Sequence, residues 1–137
     1  MSILQTQTTS FKTELYTGVH NLSTNTLKIA LYTAAADLNE ATTVYSSVNE
    51  VSGTGYSLGG VALTGVTINS SGYTAYVDFA DVVFGASVTA RCALIYNVTQ
   101  GNKSIAVLDF GADKTSSNFT ITMPANTATA ALIRSSN

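Results

Sequence analysis

The sequence predicts an all-β protein, an antiparallel β-sandwich of jelly-roll or similar Greek-key type with one short N-terminal helix. Three observations carry that prediction. Most of the 137 residues fall into short segments that alternate apolar and polar side chains, the period of a half-buried strand. Clusters of Gly, Asn and Ser separate these segments as turns. Helical spacing is confined to one stretch near the start, too little to provide the crossovers that parallel strands need, so the strands must run antiparallel. At this length, two sheets packed face to face bury a sufficient core. An immunoglobulin-like sandwich is the alternative, but the chain has no Trp and one Cys, so the Cys–Trp–Cys signature is missing.

Residues 1–10, "MSILQTQTTS", read as an extended N-terminal arm, and 11–137 as a single sandwich domain. "SFKTELYTGV", 10–19, is the helix: Phe11, Leu15, Tyr16 and Val19 share a face, Ser10 is the expected N-cap, and Gly18 the expected stop. "AAADLNEA", 34–41, is short and alanine-rich, enough for one further helical turn. The expected strands are then "LKIALYT" (27–33), "GVALTGVTI" (60–68, with Val61, Leu63, Val66 and Ile68 inward), "YTAYVDF" (73–79, after the turn "NSSG") and "TARCALIYNV" (89–98). The last of these is apolar on both faces, as a central strand is. "SIAVLDF" (104–110) follows the turn "TQGNK", "NFTITM" (118–123) alternates with Phe119, Ile121 and Met123 in phase, and "TATAALIR" (127–134) closes the chain after the sole proline.

Composition bounds the function. Charged residues make up 10% of the chain, against roughly 25% in an average soluble protein. Thr, Ser and Asn supply 46 of the 137 residues, so the polar exterior is mostly hydroxyl and amide. Such an exterior suits a protein packed against neighbours better than a free monomer. The net charge is −2 and the six cations are scattered, which argues against nucleic acid as a partner. No apolar run approaches the roughly 20 residues of a membrane span, and "MSILQTQTTS" lacks the charged and apolar regions of a signal peptide. Synthesis in a cytoplasm and no membrane partner are therefore expected. The single Cys92 has no partner for an internal disulfide.

Candidate sites need weighing one by one. "SGTGYSLGG", 52–60, holds four glycines within eight residues. A phosphate loop needs a following helix to aim N–H donors at the ligand, and here a strand pattern follows. The spacing matches neither the dinucleotide nor the P-loop form. The loop is read instead as a bent β connection, with Tyr56 packing and glycines at positive φ. Asp109-Phe110-Gly111 spells a kinase tripeptide without any other kinase motif. Asp78, Asp81, Asp109 and Asp113 lie in two similar segments and would suit Ca²⁺ if one sandwich edge gathered them, or would accept turn N–H bonds separately. His20 is the only histidine and reads as a turn residue after the helix; with no second His or thiolate cluster it does not make a metal site. Cys92, mid-strand among apolar residues, reads as a small buried side chain, with Arg91 on the opposite face. No nucleophile elbow accompanies the histidine. The expectation is a non-enzymatic protein with no catalytic residue, cofactor, metal or small-molecule substrate. The seven tyrosines raise a carbohydrate-binding alternative, weakened by the missing Trp platform and by the opposite facing of Tyr73 and Tyr76.

The series "IALYTAAADLNEATTVYSSVNEVSGTGYSLGG", "DFADVVF", "TARCALIYN", "VLDFG" and "ALIR" resembles small structural proteins of tailed bacteriophages, from about Phe11 to Arg134. Cys92 stands where that pattern has Gly, and Phe84 where it often has Trp. The resemblance implies a jelly-roll decoration, or cement, protein on the outside of the head. Its partners would be the major capsid protein and its own copies in a homotrimer, and a tail, baseplate or fibre position with a receptor- or carbohydrate-binding role is the alternative. Ile3 and Leu4 of the arm and Phe11 are the candidate partner contacts.

Overall fold

A computed structural model describes residues 2–136. Along the chain run β1 (Thr6–Gln7), α1 (Thr9–Tyr16), β2 (Leu27–Tyr32), β3 (Val61–Ala62), β4 (Thr67–Ser71) and β5 (Thr74–Asp78). They are followed by β6 (Val82–Val83), β7 (Val88–Asn97), β8 (Lys103–Ser116), β9 (Thr120–Ile121) and β10 (Ile133–Ser135). One layer is a five-stranded sheet in the order β1-β8-β7-β2-β3. The facing layer is built from the sheet β10-β5-β4 and the pair β6-β9. All strand pairs are antiparallel. The fold is thus the all-β antiparallel sandwich that the alternation pattern predicts.

The large sheet has no wet face at its centre. Ile29 and Leu31 of β2, and Ala93 and Ile95 of β7, point into the main core with Phe79, Phe84, Phe119, Ile121 and Ile133 from the opposite layer. Their neighbours Ala30, Tyr32, Cys92, Leu94 and Tyr96 point the other way, into a second core closed by Ala36 and Leu38. That cover is irregular chain: the segment predicted as a helical turn, 34–41, forms turns and a bridge between Leu38 and Ile3 instead. The apolar content of "TARCALIYNV" on both faces follows directly from these two covers.

Irregularities correct several expected strands. A register break between Ala90 and Cys92 switches the phase of β7: Val88 and Ala90 face the main core, and so do Ala93 and Ile95 beyond it. Residues 60–68 do not form one strand, because Gly65 takes φ +63° and the chain bends; Leu63 is buried, but Ile68 lies exposed. "NSS" belongs to β4, and the turn is Gly72–Tyr73, with Gly72 at φ +58°. Strand β8 runs on to Ser116, well past Phe110, and "TATAALIR" contributes only its end as β10.

The arm and helix also differ from expectation. Thr6–Gln7 pair with Ala106–Val107, and Ile3 packs against the second core. The arm therefore lies on this chain's own fold, with Thr6–Gln7 as an edge of the large sheet. Thr8, not Ser10, is the N-cap: its Oγ1 accepts the Phe11 N–H at 3.3 Å and meets Ser104 Oγ at 2.9 Å. The bond from the Thr8 N–H to the Ile105 carbonyl ties this residue to β8, and the helix starts where it is held. Gly18, at φ +75°, follows the helix end as predicted. Of the proposed helix face only Phe11 is buried, with no exposed surface; Leu15 and Tyr16 face outward.

Phe11 joins helix to core, so Phe11→Ala is expected to cost about 3–5 kcal/mol, measured as a fall in ΔG of urea unfolding. A loss below about 1 kcal/mol would contradict its place in the core.

Candidate functional site

The glycine-rich stretch is the best-organised irregular region of the chain, and its geometry answers what it does. Gly55, Gly59 and Gly60 take φ of +85°, +95° and +78°. At Gly60 an added Cβ would lie 1.8 Å from the Ile29 carbonyl oxygen, and at Gly53 2.4 Å from that of Ser87. The loop lies flat on the backbone of β2 on one side and on residues 85–88 on the other, with a bridge from Thr54 to Ser87. Side chains are excluded by contact, and the positive φ adds strain to any replacement.

What the loop cradles is a carboxylate of its own chain. Glu50 Oε2 accepts the Gly59 N–H at 2.8 Å and the Tyr56 hydroxyl at 2.6 Å, and Oε1 accepts the Tyr45 hydroxyl at 2.5 Å. The Tyr56 oxygen in turn accepts the Leu31 N–H at 2.9 Å, linking the network to β2. Tyr96 donates to the Gly59 carbonyl at 2.6 Å and stacks on Tyr45 with ring centroids 4.6 Å apart. Tyr32 donates to the Ser46 carbonyl. Burial, reinforced by the Glu50 charge, pushes the hydroxyls of Tyr32, Tyr45 and Tyr56 well above the ordinary tyrosine range, and Tyr96 up to about 12. These hydroxyls are held as proton donors, and the site is a structural latch.

A second polar cluster holds His20. Its Nε2 lies 2.8 Å from Glu14 Oε1, and its Nδ1 3.0 Å from Asn97 Nδ2. Asn97 is fully buried; its Oδ1 accepts the Gln100 N–H while its Nδ2 also donates to Asn25 Oδ1. The amide orientation therefore makes Nδ1 an acceptor and places the proton on Nε2, toward Glu14. His20 follows the helix as predicted, but it is a buried tie between α1, residues 21–25 and the end of β7.

The four aspartates stay apart in their bonding. Asp78 accepts the Phe79 N–H at 2.9 Å, Asp81 the Met123 N–H at 2.7 Å, and Asp109 pairs with Arg91 and accepts the Gly111 N–H. Asp113 is exposed. Burial raises the Asp78 carboxyl above its usual value. Among the described residues, no group of three His, Cys, Asp or Glu side chains converges as a metal site would. Cys92 is fully buried, and burial raises its thiol to about 11.

Of the candidate partner contacts, Leu4 is about half exposed, Ile3 is half-buried against the second core, and Phe11 is inaccessible. Phe11 is therefore corrected from a surface contact to a core residue: its place just after the N-cap turns it inward. Sequence reading missed both polar clusters. The single signal for the first was an isolated Glu beside a tyrosine-rich, glycine-rich run.

Comparison of the chain with protein-family models, with characterised proteins and with solved structures gives no match.

Two measurements check the latch. Glu50→Ala should cost on the order of 2 kcal/mol, a value discounted for the partial exposure of the carboxylate, and Gly60→Ala about 1–3 kcal/mol from backbone strain with its contact cost added. Equal stability of either variant to the wild type in urea would contradict the geometry. The pH dependence has a definite sign. The folded chain holds Tyr96 and Cys92 protonated beyond their unfolded values of 10 and 9, so this stability is full at neutral pH. It falls once pH passes 9 and is lost through about 11 for Cys92 and about 12 for Tyr96. A thiol reagent should leave Cys92 unmodified at pH 8 in the folded protein and modify it fully in urea; rapid native labelling would contradict its burial.

Proposed function

We propose that this protein is a structural component of a tailed-bacteriophage particle, a decoration or cement protein bound to the outside of the head. One observation carries the reading beyond resemblance: the reactive groups sequence reading singled out, His20 and Cys92, are spent inside the fold, as is the latch carboxylate Glu50. His20 and Glu50 are bonded and Cys92 is sealed in the second core. What is offered outward is sparsely charged, with Lys12, Asp37, Glu40, Asp113, Lys114 and Arg134 among the exposed charges. Ser, Thr and Asn dominate it, interrupted by exposed Leu4, Leu15, Tyr16, Leu58, Ile68 and Val83. Wet, moderately apolar contacts of this kind are typical of protein–protein interfaces.

In this reading the sandwich is a rigid clip that spans neighbouring capsid subunits and resists the pressure of packaged DNA. Many weak contacts act together because the shell presents its sites in a fixed array. The association is dominated by neutral groups and depends weakly on salt. The protein has no catalytic role, and the three-fold grouping of copies rests on the resemblance.

Heating complete particles and particles lacking the protein tests the proposal. Particles without it should release DNA at a lower temperature, and adding back purified protein should restore the wild-type release temperature. Equal heat resistance, or density for the 14.2 kDa protein on the tail in a particle reconstruction, would overturn the head-cement reading.

A further inference from the structure

The facing layer ends in an open strand. β4 is bonded to β5 on one side, and all five of its residues are exposed. Its register fixes which backbone groups are free. Ser71 and Thr74 flank the two-residue turn and form a hydrogen-bonded pair, so Asn69–Tyr76 and Thr67–Asp78 are the next such pairs. The Ala80 N–H reaches the Thr64 carbonyl, one residue beyond its in-register partner Gly65, so the ladder ends at the Gly65 bend. The N–H and C=O groups of Ile68 and Ser70 therefore point away from β5 into solvent. Water satisfies these groups in the free chain, and an extended strand matches their alternation of donors and acceptors.

Natural sheets guard open edges with charge, proline, bulges or a covering segment. From Thr67 to Tyr73 the sequence is "TINSSGY", with none of Asp, Glu, Lys, Arg or Pro. Beside the edge, Ile68 lies with Leu15 and Tyr16 of α1 along a groove floored by Val77 and Ile133, and the outer three are all exposed. Backbone donors and these apolar side chains thus meet at one place, with Lys12 and Arg134 also on the groove's lining.

We infer that β4 is a pairing edge for a second copy of this chain. An antiparallel pair centred on Asn69 sets Ile68 opposite Ser70 of the other copy and Ser70 opposite its Ile68. Each copy then offers two N–H and two C=O groups, and the pair makes about four inter-chain hydrogen bonds. The pairing is self-complementary about a two-fold axis, as an isologous contact requires. With no charge on either strand, the copies meet without repulsion. The two Ile68 side chains lie diagonally across the new ladder, within reach of each other and of the groove rims. The sheet becomes six-stranded, β10-β5-β4 continued by its symmetry mate. The contact is two-fold, so it is separate from the three-fold grouping implied by resemblance, and it does not rest on the particle reading.

Hydrogen exchange on the isolated wild-type protein, with light scattering across a dilution series, tests this directly. The expected result is a dimer of 14.2 kDa chains at high concentration that dissociates on dilution. The Ile68 and Ser70 amides should be at least tenfold slower to exchange in the dimer than in the dilute monomer. Ser70→Pro removes an outward N–H without touching the β4–β5 ladder, and Ile68→Lys places a charge on an exposed edge position; both should stay folded and monomeric. A wild type that is monomeric throughout, a trimer or dimer whose Ile68 and Ser70 amides exchange as free ones, or a dimer that survives in both folded variants would overturn the inference.

Discussion

The structure depends on one constraint: the central strands β2 and β7 are apolar on both faces, so the large sheet needs two dry covers. One cover is the second layer of the sandwich, which supplies Phe79, Phe84, Phe119 and Ile133. The other has no sheet to offer. It is made from irregular chain that lays Ala36, Leu38 and Tyr45 over the sheet, with Ile3 at its margin. Irregular chain over a core carries backbone groups that must be bonded. The Glu50 network supplies several of these bonds, and the glycines allow the loop to lie close enough to β2 to make them. Latch, glycines and buried tyrosines are thus consequences of a two-sided sheet.

The same constraint shapes what the molecule presents outward. Tyr32, Tyr45, Tyr56 and Tyr96 would be natural ligand-binding groups on a surface, but here their hydroxyls hold the second cover in place. His20 and Glu14 are bound into the base of the helix. The exterior is left with hydroxyls, amides, a few scattered charges and scattered apolar side chains. A rigid body with such an exterior is suited to standing contacts with other proteins, which is the physical ground of the particle proposal.

Much of the fold was legible because alternation survives wherever a strand has one partner layer: Phe119, Ile121 and Met123 are in phase and buried as read. Legibility failed where tertiary contacts override local pattern. Ile68 alternates correctly but lies on an edge strand with nothing over it. The helix begins at Thr9 because Thr8 is fixed by Ser104 and Ile105, residues nearly a hundred positions away. Phe11, expected as a contact, is by the same helical spacing the one helix side chain driven into the core. The glycine stretch was legible as a bend without a phosphate site; its carboxylate partner was not, because nothing local links Glu50 to Tyr45, Tyr56 and Gly59.

Native-state hydrogen exchange in Glu50→Ala is the most direct measurement of the two-cover account. The account predicts that amides held by the second cover, Leu38 and Tyr45 among them, gain exchange through a local opening, while Leu94 and Ile95 at the centre of β7 still exchange only by global unfolding. Uniform loss of protection across the chain, or unchanged protection from Ala36 to Tyr45, would contradict it.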